Sequence, residues 1–380
     1  MKIGIPKEII SGESRVAVIP AMIGSLTKMG HEVLVERGAG LTASFSDEQY
    51  KESGATVIAT AKELYESSQI ILKVQPPDET KEVALLKEGS SLIGFLAPLN
   101  HPGMIRQLTD RRITSFAMEF IPRITRAQSM DALSSMATIA GYKAVLIAAN
   151  HLGKIFPLLM TAAGSIPPAT VLVLGAGVAG LQAIATARRL GAKVEAFDPR
   201  PAVKEQVKSL GAYFVEMELP EEDVETAGGY AKEQSEAFLK KEQEAIAARL
   251  PKVDVVVTTA QVFGKKAPLL ITEEMVKEMR PGSVIVDLAA EQGGNCVLTV
   301  AGQAVEKHGI MIHGAVNLPA TVPVHASQMY SKNITNLFRH IMQEGQYDFD
   351  DEITKGACIT HAGKIVNDLV AEAVNKGGKS

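Results

Sequence analysis

The sequence predicts an α/β protein of two doubly wound domains joined by a long helix. Three observations carry this: short β-prone apolar runs alternate with helical patterns in both halves, a long helical stretch separates the halves, and a glycine-rich turn follows a strand in the second half. Strands alternating with helices imply βαβ units and a mostly parallel sheet. Length agrees, since 380 residues at about 150 per domain make two or three domains.

In the first 125 residues, strands are predicted at 2–5, 32–36, 69–74, 91–96 and 113–120, with helical patterns at 21–29 and 47–53 between them. Ser46 followed three residues later by Gln49 has the spacing of a capping box. Ligand crevices of such sheets lie beyond the carboxyl ends of the strands, which is where Lys73, Pro76-Pro77 and Ala97–Asn100 fall. Residues 129–152 read as one helix interrupted only by Gly141. A second alternation follows, with strands at 170–174, 193–198, 213–216, 253–259, 283–288 and 310–313 and helices at 180–190 and 203–210. A last helix is expected at 326–342. The predicted division is 1–130 plus 330–380 for the first domain and 131–329 for a nucleotide-binding domain.

Composition narrows the function. Thirty-nine basic against 43 acidic side chains leave a net charge of −4, which excludes a phosphate-dominated nucleic-acid binder. Cys296 and Cys358 form no disulfide framework and do not cluster with histidines at zinc spacing, so no metal site is predicted. The beginning Met-Lys-Ile-Gly-Ile-Pro lacks the apolar core of a signal peptide, and the expected setting is the reduced cytoplasm. Residues 155–187 contain 33 residues without a formal charge, but prolines and glycines cut the stretch too finely for a membrane span. It is read instead as the buried surroundings of the glycine turn.

That turn is Gly175-Ala176-Gly177-Val178-Ala-Gly180, with a strand before it, an alanine-rich helix after it, and Asp198 18 residues beyond Gly180. This is the context that a dinucleotide fingerprint requires. Gly175 permits the tight turn, Gly177 the approach of a pyrophosphate, and Gly180 close helix–strand packing. Asp198 can accept the adenosine ribose hydroxyls, at roughly 1.5–3 kcal/mol for a charged acceptor. It would also repel a 2′-phosphate, so NAD(H) is favoured over NADP(H). Arg200 is the opposing feature, read as the partner of Asp198 or of solvent. The domain is therefore Rossmann-like. Residues 218–249 are crowded with charge around Ala227–Ala231; they read either as a solvated insertion or as a mobile loop, near 218–235, that closes over a ligand.

Further segments share a pattern: Pro122–Asp131 with its Arg123-x-x-x-x-Gln128-x-x-Asp131 spacing, Tyr142-Lys-Ala, Lys204–Val207, Ala227–Lys232 and Asp287–Cys296. With the glycine turn they make the chain resemble the NAD(H)-binding component, domain I, of proton-translocating NAD(P) transhydrogenases over nearly its whole length. Alanine dehydrogenase shares the fold and is the natural competitor. The resemblance implies that Arg123, Gln128 and Asp131 form the loop at the nicotinamide end. It implies cofactor contacts at Gly175, Ala176, Gly177, Val178, Gly180, Asp198, Arg200, Gly229, Tyr230, Thr259, Ala260, Glu291 and Asn317. It also implies an NADP(H)-binding partner and a membrane-spanning subunit, a homodimer, peripheral association with the inner membrane, and a Re/Si-specific enzyme active only with its partners.

Residues 125–128 also fit a capping box for the long helix, a purely structural alternative. Alanine dehydrogenases carry a histidine after the strand matching 91–96, where this chain has Ala97, although His101 stands four residues on. Hydride transfer between two nicotinamides moves no proton at the reacting carbons and needs no such acid or base. Arg15 and Lys73 match substrate-binding positions of those dehydrogenases. Two other readings stay open on sequence alone: an amino-acid dehydrogenase, and a non-catalytic NAD sensor.

Overall fold

The computed structural model describes residues 1–216, 235–343 and 346–376. The chain divides into one unit of Met1–Met136 with Pro319–Ser380 and a second of Ala137–Leu318. Both cuts differ from the predicted ones because the helix Ala132–His151 begins in one unit and ends in the other, and because the last long helix starts at Pro323.

In the first unit, β1 (Lys2–Ile5), β2 (Glu32–Glu36), β3 (Thr56–Ile58), β4 (Ile70–Leu72), β5 (Ser91–Gly94) and β6 (Thr114–Ala117) lie in the order β3-β2-β1-β4-β5-β6. All five pairings are parallel, and Cys358–His361 adds an antiparallel strand beside β6. Three-residue β3 escaped the sequence reading, being too short to show alternation. Ser46 and Gln49 form both halves of the capping box ahead of the helix Asp47–Glu52. The helix Pro323–Ile341 is stitched on by hydroxyls, with Ser327 and Ser331 accepting the Val16 and Ile19 N–H groups at 3.0 Å.

In the second unit a hairpin, β7 (Leu159–Thr161) and β8 (Gly164–Ile166), precedes β9 (Thr170–Leu174), β10 (Lys193–Phe197), β11 (Tyr213–Phe214), β12 (Val255–Thr258), β13 (Val284–Asp287), β14 (Ala304–Lys307) and β15 (Ile310–Gly314). The sheet order is β11-β10-β9-β12-β13-β15-β14, parallel except for the β14 edge. Strand order therefore reverses between β9 and β12, the switch point where such sheets bind ligands. Alternation of the strand VLVL shows the layers. Val171 and Val173 pack with Ala144, Val145 and Ile184, whereas Leu172 and Leu174 pack on the other face with Ile246 and Val276.

The uncharged stretch is only half explained by burial. Pro157 through Pro167 is exposed throughout, and Met160 in β7 is 75% exposed. The sequence reading of 155–187 as buried surroundings holds from Ala169 onward and fails for the hairpin, whose turn at Ala162-Ala163 carries no strong hairpin dipeptide. One described helix, Ala132–His151, is long and apolar enough to cross a membrane by length and composition, yet Ala144, Val145 and Ala148 within it are fully packed.

Gly141 has a geometric reason. A Cβ there would lie 2.0 Å from the Ala179 carbonyl oxygen. Gly141→Ala is expected to destabilise the second unit by about 1–3 kcal/mol or more through overpacking. Gly24→Ala, in the helix Pro20–Thr27 with nothing within 4 Å of its Cβ position, is expected to stabilise by about 0.4–1 kcal/mol. Denaturant unfolding of the two variants should move in opposite directions.

Candidate functional site

Beyond β9 the chain turns through Gly175 at φ +97°, a conformation that L side chains avoid. A Cβ on Gly175 would stand 2.5 Å from Thr259 Oγ1, and one on Gly180 would stand 1.9 Å from the Gly175 carbonyl oxygen. Both glycines thus serve close packing. A Cβ on Gly177 would meet only Arg200 Nη2, at 4.0 Å. Gly177 is the N-cap of the helix Val178–Arg189 and supplies no side-chain cap. The turn therefore presents open backbone at a helix N-terminus, where N–H groups and the helix dipole favour an anion such as a diphosphate.

Asp198 follows β10 and is 4% exposed. Its Oδ2 accepts from Ala176 N at 2.7 Å and Arg200 Nη2 at 2.8 Å; its Oδ1 accepts from the backbone N and the Nε of Arg200, both at 2.9 Å. The structure thus pairs Arg200 with Asp198, one of the two partners the sequence reading allows, and ties both to the glycine turn. Nearby lies a residue the sequence reading missed. Glu242, on the helix Glu236–Ala247, is 4% exposed with no hydrogen-bond partner on Oε2. Burial first, and then the Asp198 charge, push its carboxyl up to about 8. A glutamate on a charged helix looks solvated in sequence, and only packing reveals it.

Across the switch point, Thr259 donates to the Leu174 and Gly175 carbonyls at 3.3 and 3.1 Å. Ala260 is clamped by Asn295, whose Oδ1 accepts from Ala260 N at 3.1 Å and whose Nδ2 donates to Ala260 O at 2.9 Å. Fully buried Asp287 accepts from Thr258, Ala289, Asn295, Cys296 and Thr299 at 2.7–3.1 Å and so holds the Gly293-Gly294 turn. Neither Asp287 nor Asn295 was nominated from sequence, although both lie in the quoted segment 287–296. Glu291 Oε1 accepts from Asn317 N at 3.2 Å, so these two candidates meet. Gly229 and Tyr230 lie outside the described residues.

In the first unit, Arg123, Gln128 and Asp131 line one concavity of about 320 Å³ together with Pro122, Ile124, Thr125, Ala127 and Ser134. The capping box at 125–128 does not form, since the turn Thr125–Met130 has no side-chain cap. Asp131 caps the long helix instead, accepting from Ser134 N at 2.8 Å and Ser134 Oγ at 2.6 Å.

The first unit has its own switch point between β1 and β4, and it is filled. Fully buried Lys73 contacts Glu82 at 2.7 Å and Glu8 at 3.2 Å, and Arg15 pairs with Glu13 at 2.6 Å. Although burial pulls the other way, the Arg15 guanidinium holds the Glu13 carboxyl down to about 2. Ala97 adopts φ +43° with its N–H on the Glu119 carboxylate. His101 stands apart, 45% exposed and 4.0 Å from Glu79.

Glu242 has a measurable signature. Its folded-state pKa lies above the unfolded value of about 4.5, so the folded protein holds the extra proton and loses stability as pH rises from roughly 5 to 8. Glu242→Gln should remove that part of the slope and melt higher than the parent at pH 8. Equal pH dependence of the two proteins in thermal melts would refute the assignment.

Two family profiles match: alanine dehydrogenase/PNT, N-terminal domain, over residues 4–140, and alanine dehydrogenase/PNT, C-terminal domain, over residues 144–368. The chain is 49% identical over 376 residues to an NAD(P) transhydrogenase subunit alpha polypeptide of Rhodospirillum rubrum, covering 97% of this chain and 98% of that one. It superposes on the crystal structure of transhydrogenase from Sinorhizobium meliloti with a TM-score of 0.86 and 40% identity, covering 97% and 100% of the two chains. Alanine dehydrogenase of Methanococcus maripaludis is more distant, 32% identical over 383 residues, with 98% and 96% covered. The chain belongs to the alanine dehydrogenase/PNT family, on its transhydrogenase alpha-subunit side.

Proposed function

We propose that this chain is the NAD(H)-binding subunit of a proton-translocating, Re/Si-specific transhydrogenase, passing a hydride between NAD(H) in its own site and NADP(H) held by a partner subunit. The observation that carries the reading is the open turn at Gly177 beside the Asp198 carboxylate, in a chain 49% identical to a transhydrogenase alpha subunit. The residues fit the dinucleotide: an anion site on bare backbone, and a carboxylate 2.7 Å from the same turn for the ribose end.

The bound nucleotide supplies the hydride, and the protein supplies position and dryness. Thr259 and Ala260, held by Asn295 and Asp287, shape the wall opposite the turn. Glu291 and Asn317 extend it. For the first unit, the resemblance to transhydrogenases implies the roles: Arg123 serves the nicotinamide end and Gln128 the second nucleotide. Asp131 acts through its Ser134 cap, keeping this loop in one shape. Ala97, where a dehydrogenase acid or base would stand, supports hydride transfer without proton transfer, as do Arg15 and Lys73 already matched by internal carboxylates. Proton translocation falls to a separate membrane-spanning subunit, so this chain sits peripherally on the cytoplasmic side. The uncharged hairpin β7–β8, with Leu158, Leu159, Met160 and Ile166 exposed, suits a second copy of the chain.

The reading is tested by turnover, binding and association. Mixed with an NADP(H)-binding partner, the protein should reduce thio-NADP⁺ with NADH. Gln128→Asn should keep NADH affinity within about threefold while turnover falls by about tenfold or more, the loss expected from misplacing a positioning group. Unchanged turnover removes Gln128 from the mechanism, and alanine oxidation by the isolated chain overturns the reading. Met160→Glu should shift the protein to monomer in sedimentation.

A further inference from the structure

The Asp198 carboxylate has about four acceptor positions, two on each oxygen, and all four are taken. Two of the donors are backbone, Ala176 N and Arg200 N, fixed by the turn and the chain after β10. The other two, Nε and Nη2, belong to the Arg200 guanidinium, at 2.9 and 2.8 Å. A ribose diol cannot hydrogen-bond to Asp198 in this arrangement. If the guanidinium swings away, one acceptor position opens on each oxygen, which is the number a pair of vicinal hydroxyls requires.

We infer that Arg200 is a latch on the nucleotide site, which trades its two bonds to Asp198 for the ribose hydroxyls of an entering dinucleotide. The inference rests on the dinucleotide reading above. The destination of the displaced charge follows from position. Arg200 Nη2 lies 4.0 Å from the Cβ position of Gly177, over the open backbone of the anion site. A short rotation carries the guanidinium from one anion to another, from the Asp198 carboxylate to the diphosphate. Side chain and ligand then exchange partners, and no buried charge is left unmatched. Among the described residues, Glu242 adds a second carboxyl beside Asp198, its Oε2 without a partner and its proton favoured first by burial and then by the Asp198 charge. The latch therefore also shields an acidic pocket while the nucleotide is absent.

A static ion pair and a latch differ in how binding responds to ligands with and without phosphate. Adenosine brings the diol but no diphosphate, so in the parent protein it must expel the guanidinium without compensation. Arg200→Met removes that competition. Two hydrogen bonds to a charged group no longer have to be broken, and adenosine affinity should rise at least about tenfold. NADH loses its contact with the displaced guanidinium and should gain nothing or weaken. Arg200→Lys, with a single-point charge that cannot form the two-pronged bond, should give a smaller gain for adenosine and keep NADH affinity near that of the parent.

The measurement is calorimetric or equilibrium-dialysis binding of adenosine, ADP-ribose and NADH to the parent and both variants, with thermal melts confirming that each is folded. If Arg200 only positions Asp198, adenosine and NADH weaken together in Arg200→Met, and the latch is refuted. Adenosine affinity unchanged in both variants refutes it equally. Should Arg200→Met fail to fold, Arg200→Lys alone decides by the sign of its adenosine response. Absence of NADH and ADP-ribose binding to the parent would instead refute the dinucleotide site itself, a distinct outcome.

Discussion

The second unit is organised by backbone meeting backbone after β9. With a Cβ on Gly180 placed 1.9 Å from the Gly175 carbonyl, no other residue lets the helix Val178–Arg189 start so close to the strand it follows. That approach aims the first turn of the helix at open space over Gly177. It also brings Ala176 N–H to Asp198 and the Gly175 carbonyl to Thr259, so β9, β10 and β12 are joined at one point. The Ala179 carbonyl in the same turn is what forbids a side chain at Gly141. One close contact thus dictates residue choice on a helix far away in sequence.

The two units share the order of their first five strands and diverge in what fills the crevice. In each, strand order reverses between the first and fourth strands of the sheet, the geometry that opens a crevice at the carboxyl edge. In the second unit the crevice is walled by glycine backbone and small side chains. In the first it is closed by Lys73, Glu8 and Glu82, with Tyr330 donating to the Lys73 carbonyl at 2.7 Å. Such a cluster is costly to desolvate and costly to break once formed. Topology therefore permits two sites, and side-chain chemistry leaves the crevice of the second unit open at Gly177. The first unit keeps a different concavity, lined by Arg123, Gln128 and Asp131.

Much of this was legible in sequence where a local rule carries a strong physical penalty. β1, β2 and β9 end where predicted, because buried parallel strands are continuous apolar runs bounded by breakers. The capping box at Ser46 formed, whereas the same spacing at 125–128 did not, because Asp131 lies one residue before the helix and takes the Ser134 N–H itself. The exposed hairpin falls outside the buried surroundings that the uncharged run suggests, because absence of charge does not distinguish a buried strand from an apolar surface.

The α/β class, the glycine turn and the carboxylate at the end of β10 follow from sequence, since each rests on residue type and spacing within one βαβ unit, whereas the order of the strands in each sheet comes from the structure. Which charges meet follows from tertiary packing, which also selects Asp198 over solvent as the partner of Arg200. Arg200 closes the last acceptor positions of Asp198, Glu242 loses its solvent beside them, Asp287 and Asn295 brace Ala260, and internal carboxylates occupy Lys73 and Arg15. The reason is physical: hydrogen bonds and charges act over a few ångströms in space, between groups as much as 85 residues apart within this site, and spacing along the chain carries no record of such distances.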